Sequence, residues 1–265
     1  MIAAHRHKEI VKLLSQKSFC SLPQLADFLH VSLATARRDL NVLQDQGVLK
    51  RTHGGAVFLG SQNELPLFAD RQSIMARQKK AIGRYAAALV ENGDSIIIDG
   101  GTTTYEMARQ LQNKDIQVVS NSLPVANLFA NSRNVQLITT GGLLYPGTGV
   151  YLGPQAEETL CSLRVQKAFI GVAGITQEGF HNSNSILVRT QEYMMRAARQ
   201  VYVLCDHTKF GRNALAYLCN FSRITAIITD SLPREQEPLG RSLRQKDVKI
   251  MLCDGPDVAA DATKK

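Results

Sequence analysis

The sequence has no tryptophan and few aromatic residues, 6% in all. Its five cysteines, Cys20, Cys161, Cys205, Cys219 and Cys253, are odd in number, widely spaced and never in a CxxC pair. They therefore read as reduced, mostly buried thiols of a cytoplasmic protein rather than a disulfide framework. No His/Cys cluster has zinc spacing, so no metal site is expected. The longest charge-free stretch, Asn134 to Ala156, covers 23 residues but holds five glycines and two prolines. That composition makes strands and loops, not a membrane helix. The opening residues, MIAAHRHKEI, lack the apolar core of a signal peptide. No membrane partner is expected.

What is present is enough for two folded domains. The chain has 265 residues, 44% apolar and 20% charged, with a net charge of +8. A basic balance permits nucleic acid or anionic ligands as partners. The charge is uneven. Residues 1–60 hold eight Lys/Arg against four Asp/Glu, so half of the excess lies in under a quarter of the chain. The stretch GSQNELPLFA, Gly60 to Ala69, reads as a linker. The expected division is a first domain at 1–59, a linker at 60–76, a second domain at 77–255 and a frayed tail at 256–265.

In the first segment, Ile10, Leu13 and Leu14 have helical spacing. Ser21 caps a second short helix ending at Leu29, with Gln24 completing a capping box. After a tight turn Ser32 caps a third, from about Leu33 to Gln46, with Leu33, Ala36, Leu40 and Leu43 as its buried stripe and Gly47 as its stop. VLKRTHGGAVFL then reads as two strands around Gly54-Gly55. This order is a winged helix-turn-helix, whose third helix enters the major groove. Its first turns offer Ser32, Ala34, Thr35, Arg37 and Arg38 to the bases and phosphates, and Arg51 and His53 of the wing reach the backbone or the minor groove. The competing reading is a generic three-helix unit whose arginine pair bridges to Asp39.

The second segment alternates apolar runs with helical stretches. The runs are 95–99, 117–120, 135–140, 167–173, 201–206, 225–230 and 248–252; helical spacing recurs at 104–111, 123–130 and 190–200. The fold class is therefore α/β: a mainly parallel sheet covered on both faces, with ligands beyond the carboxyl ends of the strands. Asp99-Gly100-Gly101-Thr102-Thr103-Thr104 falls where a strand gives way to a helix. Glycine amides, threonine hydroxyls and a helix dipole suit a phosphate there, although such a turn is often only a turn. It is neither a Walker A loop nor GxGxxG, so a nucleotide is not favoured.

The run SLPQLADFLHVSLATARRDLNVLQDQGVLKRTHGGAV, with VS-x-x-T-x-RRDL at Val31 to Leu40 and HGGA at His53 to Ala56, resembles the N-terminal segment of the DeoR family of bacterial transcriptional regulators. DGGTTT, SNSLPVA, TGG, LGPQAEETL, KAFIGVAGI and CDHTKFG resemble the family's C-terminal sensor domain, in order. The resemblance implies a second domain similar in fold to ribose-5-phosphate isomerase and glucosamine-6-phosphate deaminase. It implies a sequence-specific DNA-binding regulator, most often a repressor, of a carbohydrate or related catabolic operon. Its partners would be double-stranded operator DNA, a phosphorylated sugar or similar metabolite, and further copies of itself. No cofactor is expected.

By the same resemblance, Gly101, Thr102 and Thr103 cradle the phosphate. Lys209 adds charge, with Lys79 as a second candidate; Asn121, Gly141 and Gly142 line the pocket; Asp99 holds the loop or a sugar hydroxyl. An exposed loop lysine is the other reading of Lys209. Relatives usually carry acids where this chain has Gln166 and Leu187, which would remove groups expected near sugar hydroxyls. HNSNS, His181 to Ser185, could substitute polar contacts but reads as a surface loop. The alternative function is an isomerase- or deaminase-like enzyme with a basic appendage, disfavoured by those two positions because an amide and an aliphatic group are no general acid or base. No catalytic residue is therefore assigned. A third reading is a nucleoid-type binder without sequence preference.

Overall fold

The computed structural model describes residues 3–17, 19–45, 49–52, 54–58, 67–145, 147–232 and 237–253. Two compact units divide the chain, 1–66 and 67–265. The first holds α1 (Ala3–Lys17), β1 (Phe19–Ser21), α2 (Leu22–Leu29), α3 (Leu33–Asp45), β2 (Leu49–Thr52) and β3 (Gly55–Phe58). Its core gathers Ile10 and Leu14 of α1, Leu25 and Leu29 of α2, Leu40 and Leu43 of α3, and Cys20, Leu49 and Ala56 of the strands. Ser21 caps α2 in a reciprocal box, its Oγ accepting from Gln24 N at 3.4 Å while Gln24 Oε1 accepts from Ser21 N at 3.1 Å. His30 closes the helix in the left-handed region at φ 53°.

The sequence pattern missed β1, which pairs antiparallel with β3 and makes the wing a three-stranded sheet. Gly55 is what permits that pairing: a Cβ there would lie 2.1 Å from the carbonyl oxygen of Cys20. One expected core position fails. Leu33 is 51% exposed, because the first turn of α3 runs past the core that Ala36, Leu40 and Leu43 fill. Gly47, expected to stop this helix, lies outside the described residues.

The second unit contains α4 (Phe68–Ser73), α5 (Ala76–Ala88), β4 (Ser95–Ile98), α6 (Thr102–Ala108), β5 (Ile116–Ser120), α7 (Leu123–Phe129), β6 (Val135–Thr139), β7 (Leu143–Tyr145), β8 (Val150–Leu152) and α8 (Pro154–Cys161). It continues with β9 (Val165–Gly171), β10 (Gly174–Ile175), β11 (Phe180–Asn182), α9 (Ser185–Ala197), β12 (Ala198–Leu204), β13 (Ala216–Cys219), β14 (Ala226–Thr229), α10 (Glu237–Gln245) and β15 (Lys249–Leu252). Seven strands form one sheet in the order β15-β14-β12-β9-β4-β5-β6, every pair parallel. These are the seven apolar runs of the sequence. One face packs Ile97, Ala168, Ile170, Val201, Val203 and Ile227 against α8, α9 and α10. The other packs Ile96, Ile98, Val118, Phe169, Tyr202 and Ile228 against α5, α6 and α7.

Two departures come from local contacts that the alternation did not show. The stretch given to a linker contains α4, which belongs to the second unit and packs on α6 through a Phe68–Tyr105 edge-to-face pair at 5.4 Å. The short antiparallel sheets β7-β8 and β10-β11-β13 also lie outside the seven apolar runs, with β7 and β8 in the charge-free stretch read as strands and loops and β11 reaching into the stretch read as a surface loop. The expected tail at 256–265 lies outside the described residues. Cys20, Cys205 and Cys219 are buried, Cys253 is half-buried and Cys161 is exposed. No helix among the described residues is long and apolar enough to cross a membrane.

Candidate functional site

In the first unit α3 presents two faces. Ala36, Asp39, Leu40 and Leu43 are buried, whereas Leu33, Ala34, Arg37, Arg38, Asn41 and Val42 are exposed. The exposed set repeats at four-residue intervals, so it forms one stripe along the helix. Ser32 caps it: its Oγ accepts from Thr35 N at 3.2 Å and lies 2.9 Å from Thr35 Oγ1.

Asp39 does not pair with the arginines that flank it. Its carboxylate accepts from Arg6 at 2.7 and 3.0 Å and lies 3.0 Å from His7 Nε2, which ties α3 to α1. Burial raises the Asp39 pKa, but the hydrogen bonds from Arg6 and His7 outweigh it, and the carboxyl sits below its ordinary value. Arg37 and Arg38 make no ion pair among the described residues, so the bridged-pair reading of them does not hold. The half-buried Arg51 donates its guanidinium to Asn41 Oδ1 and its backbone N–H to Gln44 Oε1, the latter at 3.0 Å, and so fastens the wing to α3. His53 lies outside the described residues.

In the second unit, connections leave the sheet in opposite directions from β4 and β9, which are neighbours. A crevice beyond the carboxyl ends of such a strand pair is where open parallel sheets take ligands. Asp99 follows β4 there and is 3% exposed. It accepts from Gly100 N at 2.8 Å, Gly171 N at 3.0 Å and Gln191 Nε2 at 2.7 Å. Asp99 therefore holds the loop and ties it to β9 and α9. Burial raises its pKa and these hydrogen bonds oppose the rise.

The loop itself is tightly made. Gly101 N lies 2.9 Å from Thr104 Oγ1 and 2.9 Å from the Asp99 carbonyl, so Gly101 gives shape rather than a free donor. A Cβ on Gly100 would meet Val150 Cγ1 at 2.0 Å, so only glycine fits. Thr102 and Thr103 are buried in the first turn of α6. Neither hydroxyl takes a partner among the described residues. Asn121, at the end of β5, is fully buried with Oδ1 unpartnered among the described residues. Gly141 and Gly142, after β6, turn the chain into β7 at φ 64° and 109°.

Lys209 lies in a short 3₁₀ turn after β12 and is half-buried, neither a free loop lysine nor a fully enclosed one. Lys79 is 6% exposed and donates to the carbonyls of Arg71 and Ile74, the latter at 2.6 Å, which pins α4. Burial lowers Lys79 to about 8; Asp206 opposes that, and the charges of Lys209 and Arg71 add to it. Burial also lowers Lys209, with Asp206 opposing. The charge of Arg71 acts on Asp99 as well. Arg71, Lys79 and Lys209 thus form one cationic group with Asp206 at the strand ends.

Two residues of this site, Arg71 and Gln191, were not read from the sequence, and a third, Asn182, was given to a surface loop. Arg71 was hidden in the expected linker. Gln191 bonds Asp99, and Asn182 Nδ2 bonds Gln191 Oε1 at 3.0 Å. The signal for Gln191 was a polar side chain on the apolar stripe of Val188, Met194 and Met195. His181 and Asn182 are buried in β11, not in a surface loop. Gln166 is the second residue of β9, at the amino end of the sheet, where its Oε1 accepts from Ser95. That is the end opposite the crevice, so its neutrality removes no acid from the pocket. Leu187 lies in the first turn of α9, its N–H donated to Asn184 Oδ1 at 3.3 Å.

Two family models match this chain, the DeoR-like helix-turn-helix domain over residues 6–62 and the DeoR C terminal sensor domain over residues 74–231. The HTH-type transcriptional regulator YulB of Bacillus subtilis is 31% identical over 252 residues, 94% of this chain and 96% of that protein. The HTH-type transcriptional repressor GlcR of the same organism is 32% identical over 89% of this chain and 91% of its own. The glycerol-3-phosphate regulon repressor of Escherichia coli is 32% identical over 88% and 93%. Among solved structures, a ribose 5-phosphate isomerase from Methanocaldococcus jannaschii is similar over 50% of this chain and 53% of that one, at 17% identity and a TM-score of 0.35. The eIF2B delta chain of Chaetomium thermophilum is similar over 59% and 56%, at 17% identity and a TM-score of 0.43. Both domain matches in order, and relatives of this identity along nearly the whole chain, establish that the protein belongs to the DeoR family of helix-turn-helix transcriptional regulators.

Proposed function

We propose that this regulator represses a carbohydrate or related catabolic operon and releases its operator when a phosphorylated sugar or similar metabolite enters the crevice at the strand ends. The observation that carries the DNA side is the exposed stripe of α3. Arg37 and Arg38 are freed because Arg6 and His7 hold Asp39. Their side chains diverge by roughly 100° on the helix, so one grips phosphate while the other reads a base edge or a second phosphate. Ser32, Ala34 and Thr35 let the helix approach closely, and Arg51 and His53 serve the wing.

On the effector side, Thr102 and Thr103 offer hydroxyls and first-turn amides, and Lys209, Lys79 and Arg71 offer charge. Gly101, Gly141 and Gly142 shape the walls, Asn121 contributes a polar edge, and Asp99 holds the loop. A metabolite that favours a conformation with displaced reading helices weakens operator binding by the same coupling free energy. One winged unit buries only about 600–1,000 Å² on DNA, so useful affinity calls for a homodimer or larger assembly. Half-sites ~34 Å apart, or multiples of that, suit a simple dimer.

The enzyme alternative is disfavoured because similar proteins are named as repressors and because Asp99 is committed to Gly100, Gly171 and Gln191. Footprinting on the promoters of the source organism, with and without a panel of sugar phosphates, tests the reading. Protection of a discrete site that fades with one metabolite supports it. Protection that fails to distinguish cognate from random DNA returns the nucleoid-type reading.

A further inference from the structure

A cleft separate from the crevice at the strand ends lies on the helical surface of the second unit. It has a volume of about 510 Å³ and runs along the outer faces of α5 and α6, lined by Arg77, Lys80, Arg84, Glu106, Arg109 and Gln110. Four cations face one carboxylate. Glu106 is 3% exposed and already engaged: Arg109 donates to it at 3.3 Å and Gln72 at 3.4 Å. Arg77, Lys80 and Arg84 have no hydrogen-bond or ion-pair partner among the described residues. Asp230 borders a neighbouring hollow with Arg77, but its oxygens accept from the backbone and ring of His207 at 2.8 and 2.6 Å.

The walls are fixed rather than loose. A Cβ on Gly83 would sit 2.7 Å from the backbone of Glu106 and Met107, so α5 and α6 touch main chain to main chain. That contact holds the stripe Arg77, Lys80 and Arg84 opposite Arg109. Like charges gathered along one concave surface repel one another, and the field they focus attracts a multiply charged anion. The stripe is ~10 Å long along α5, more than one phosphate spans. The cleft volume falls in the usual small-molecule range of roughly 300–1,000 Å³. A duplex, by contrast, presents its phosphates on a convex surface.

We propose that this cleft is a second anion site, distinct from the crevice at the strand ends, and that it takes a small molecule carrying two or more linked phosphate groups. Arg77, Lys80 and Arg84 bind the outer oxygens along α5, Arg109 closes the opposite wall, and Gln110 donates its amide.

Calorimetric titration of the full-length protein with inorganic pyrophosphate tests this, with inorganic phosphate and a random-sequence duplex as comparisons. The expected result is saturable pyrophosphate binding at least tenfold tighter than phosphate. Substituting Lys80→Gln and Arg84→Gln together should weaken it at least tenfold. Arg77→Gln alone, should the pair prove unstable, should give a smaller loss of the same sign. Three results overturn the proposal: no binding to the wild type, undiminished binding in folded variants that vanishes instead with Lys209→Met, or displacement of pyrophosphate by the random duplex.

Discussion

Arg6 Nε donates to Asp39 Oδ2 at 2.7 Å, and this one pair decides what the two arginines beside Asp39 can do. The acid lies on the buried face of α3 and is satisfied from α1, so Arg37 and Arg38 keep their charge for another partner. Position in the helix, rather than proximity in sequence, separates the anchor from the reading side chains.

The anchor and the readers should separate experimentally. Asp39→Asn should lower the stability of the first unit by about 1–3 kcal/mol, because a buried hydrogen-bonded carboxylate is lost while Arg6 stays partly enclosed. The Asp39 pKa is depressed in the folded state, so its contribution is present above the ordinary carboxyl pKa and fades as pH falls through the folded value. Urea unfolding at neutral and acid pH measures both effects; an equal Asp39→Asn deficit at pH 7 and pH 2 would contradict the assignment.

Arg38→Ala and Arg37→Ala should leave stability within ~0.5 kcal/mol, since both side chains are exposed. Each should weaken operator binding by about 1–3 kcal/mol. The phosphate-gripping one should reduce the salt slope by about 1 and weaken all sequences alike, and a base-reading one should relax preference at one position. Mobility-shift titrations over a salt series assign the roles. Unchanged operator affinity for Arg38→Ala would remove that residue from the interface.

Much of this arrangement is legible in the sequence. The seven strands of the large sheet are the seven apolar runs, because strands buried on both faces are forced to be apolar. The caps at Ser21 and Ser32 were also readable, since capping is a local event. The misses share a cause. Leu33 fits the helical period yet lies beyond the core, β1 is only three residues long, and α4 sits in a stretch whose Pro and Gly suggested a linker. Gln191 bonds Asp99 across 92 positions of chain, and Asn182 in turn bonds Gln191. Such a buried polar network is set by tertiary packing and leaves only one local trace, a polar residue on an apolar stripe.

That network predicts a contrast between two substitutions. Gln191→Leu removes a donor from a carboxylate that is 3% exposed, and should cost about 1–3 kcal/mol of stability in the second unit. Thr102→Val is close in shape and removes a hydroxyl with no partner among the described residues. It should leave the melting temperature of the unliganded protein nearly unchanged and abolish the rise produced by the metabolite. A full ligand-induced rise in the Thr102→Val protein would place the phosphate elsewhere.

The cations at the strand ends make metabolite binding depend on pH. Lys79 titrates near 8 in the folded protein because burial disfavours its charge, and a phosphate nearby would favour it. Below about 8 the group is protonated and attracts the anion; above that it is neutral and the attraction is lost. The phosphate itself gains its second negative charge near pH ~6. Affinity should therefore climb from pH 5 to 7 and decline from pH 8 to 9.5. Lys79→Met should flatten the alkaline decline and lower affinity at pH 7. Because Lys79 also pins the turn after α4, melting curves of the unliganded variant are the necessary control. An alkaline decline unchanged in a folded Lys79→Met protein would assign it to Lys209 instead.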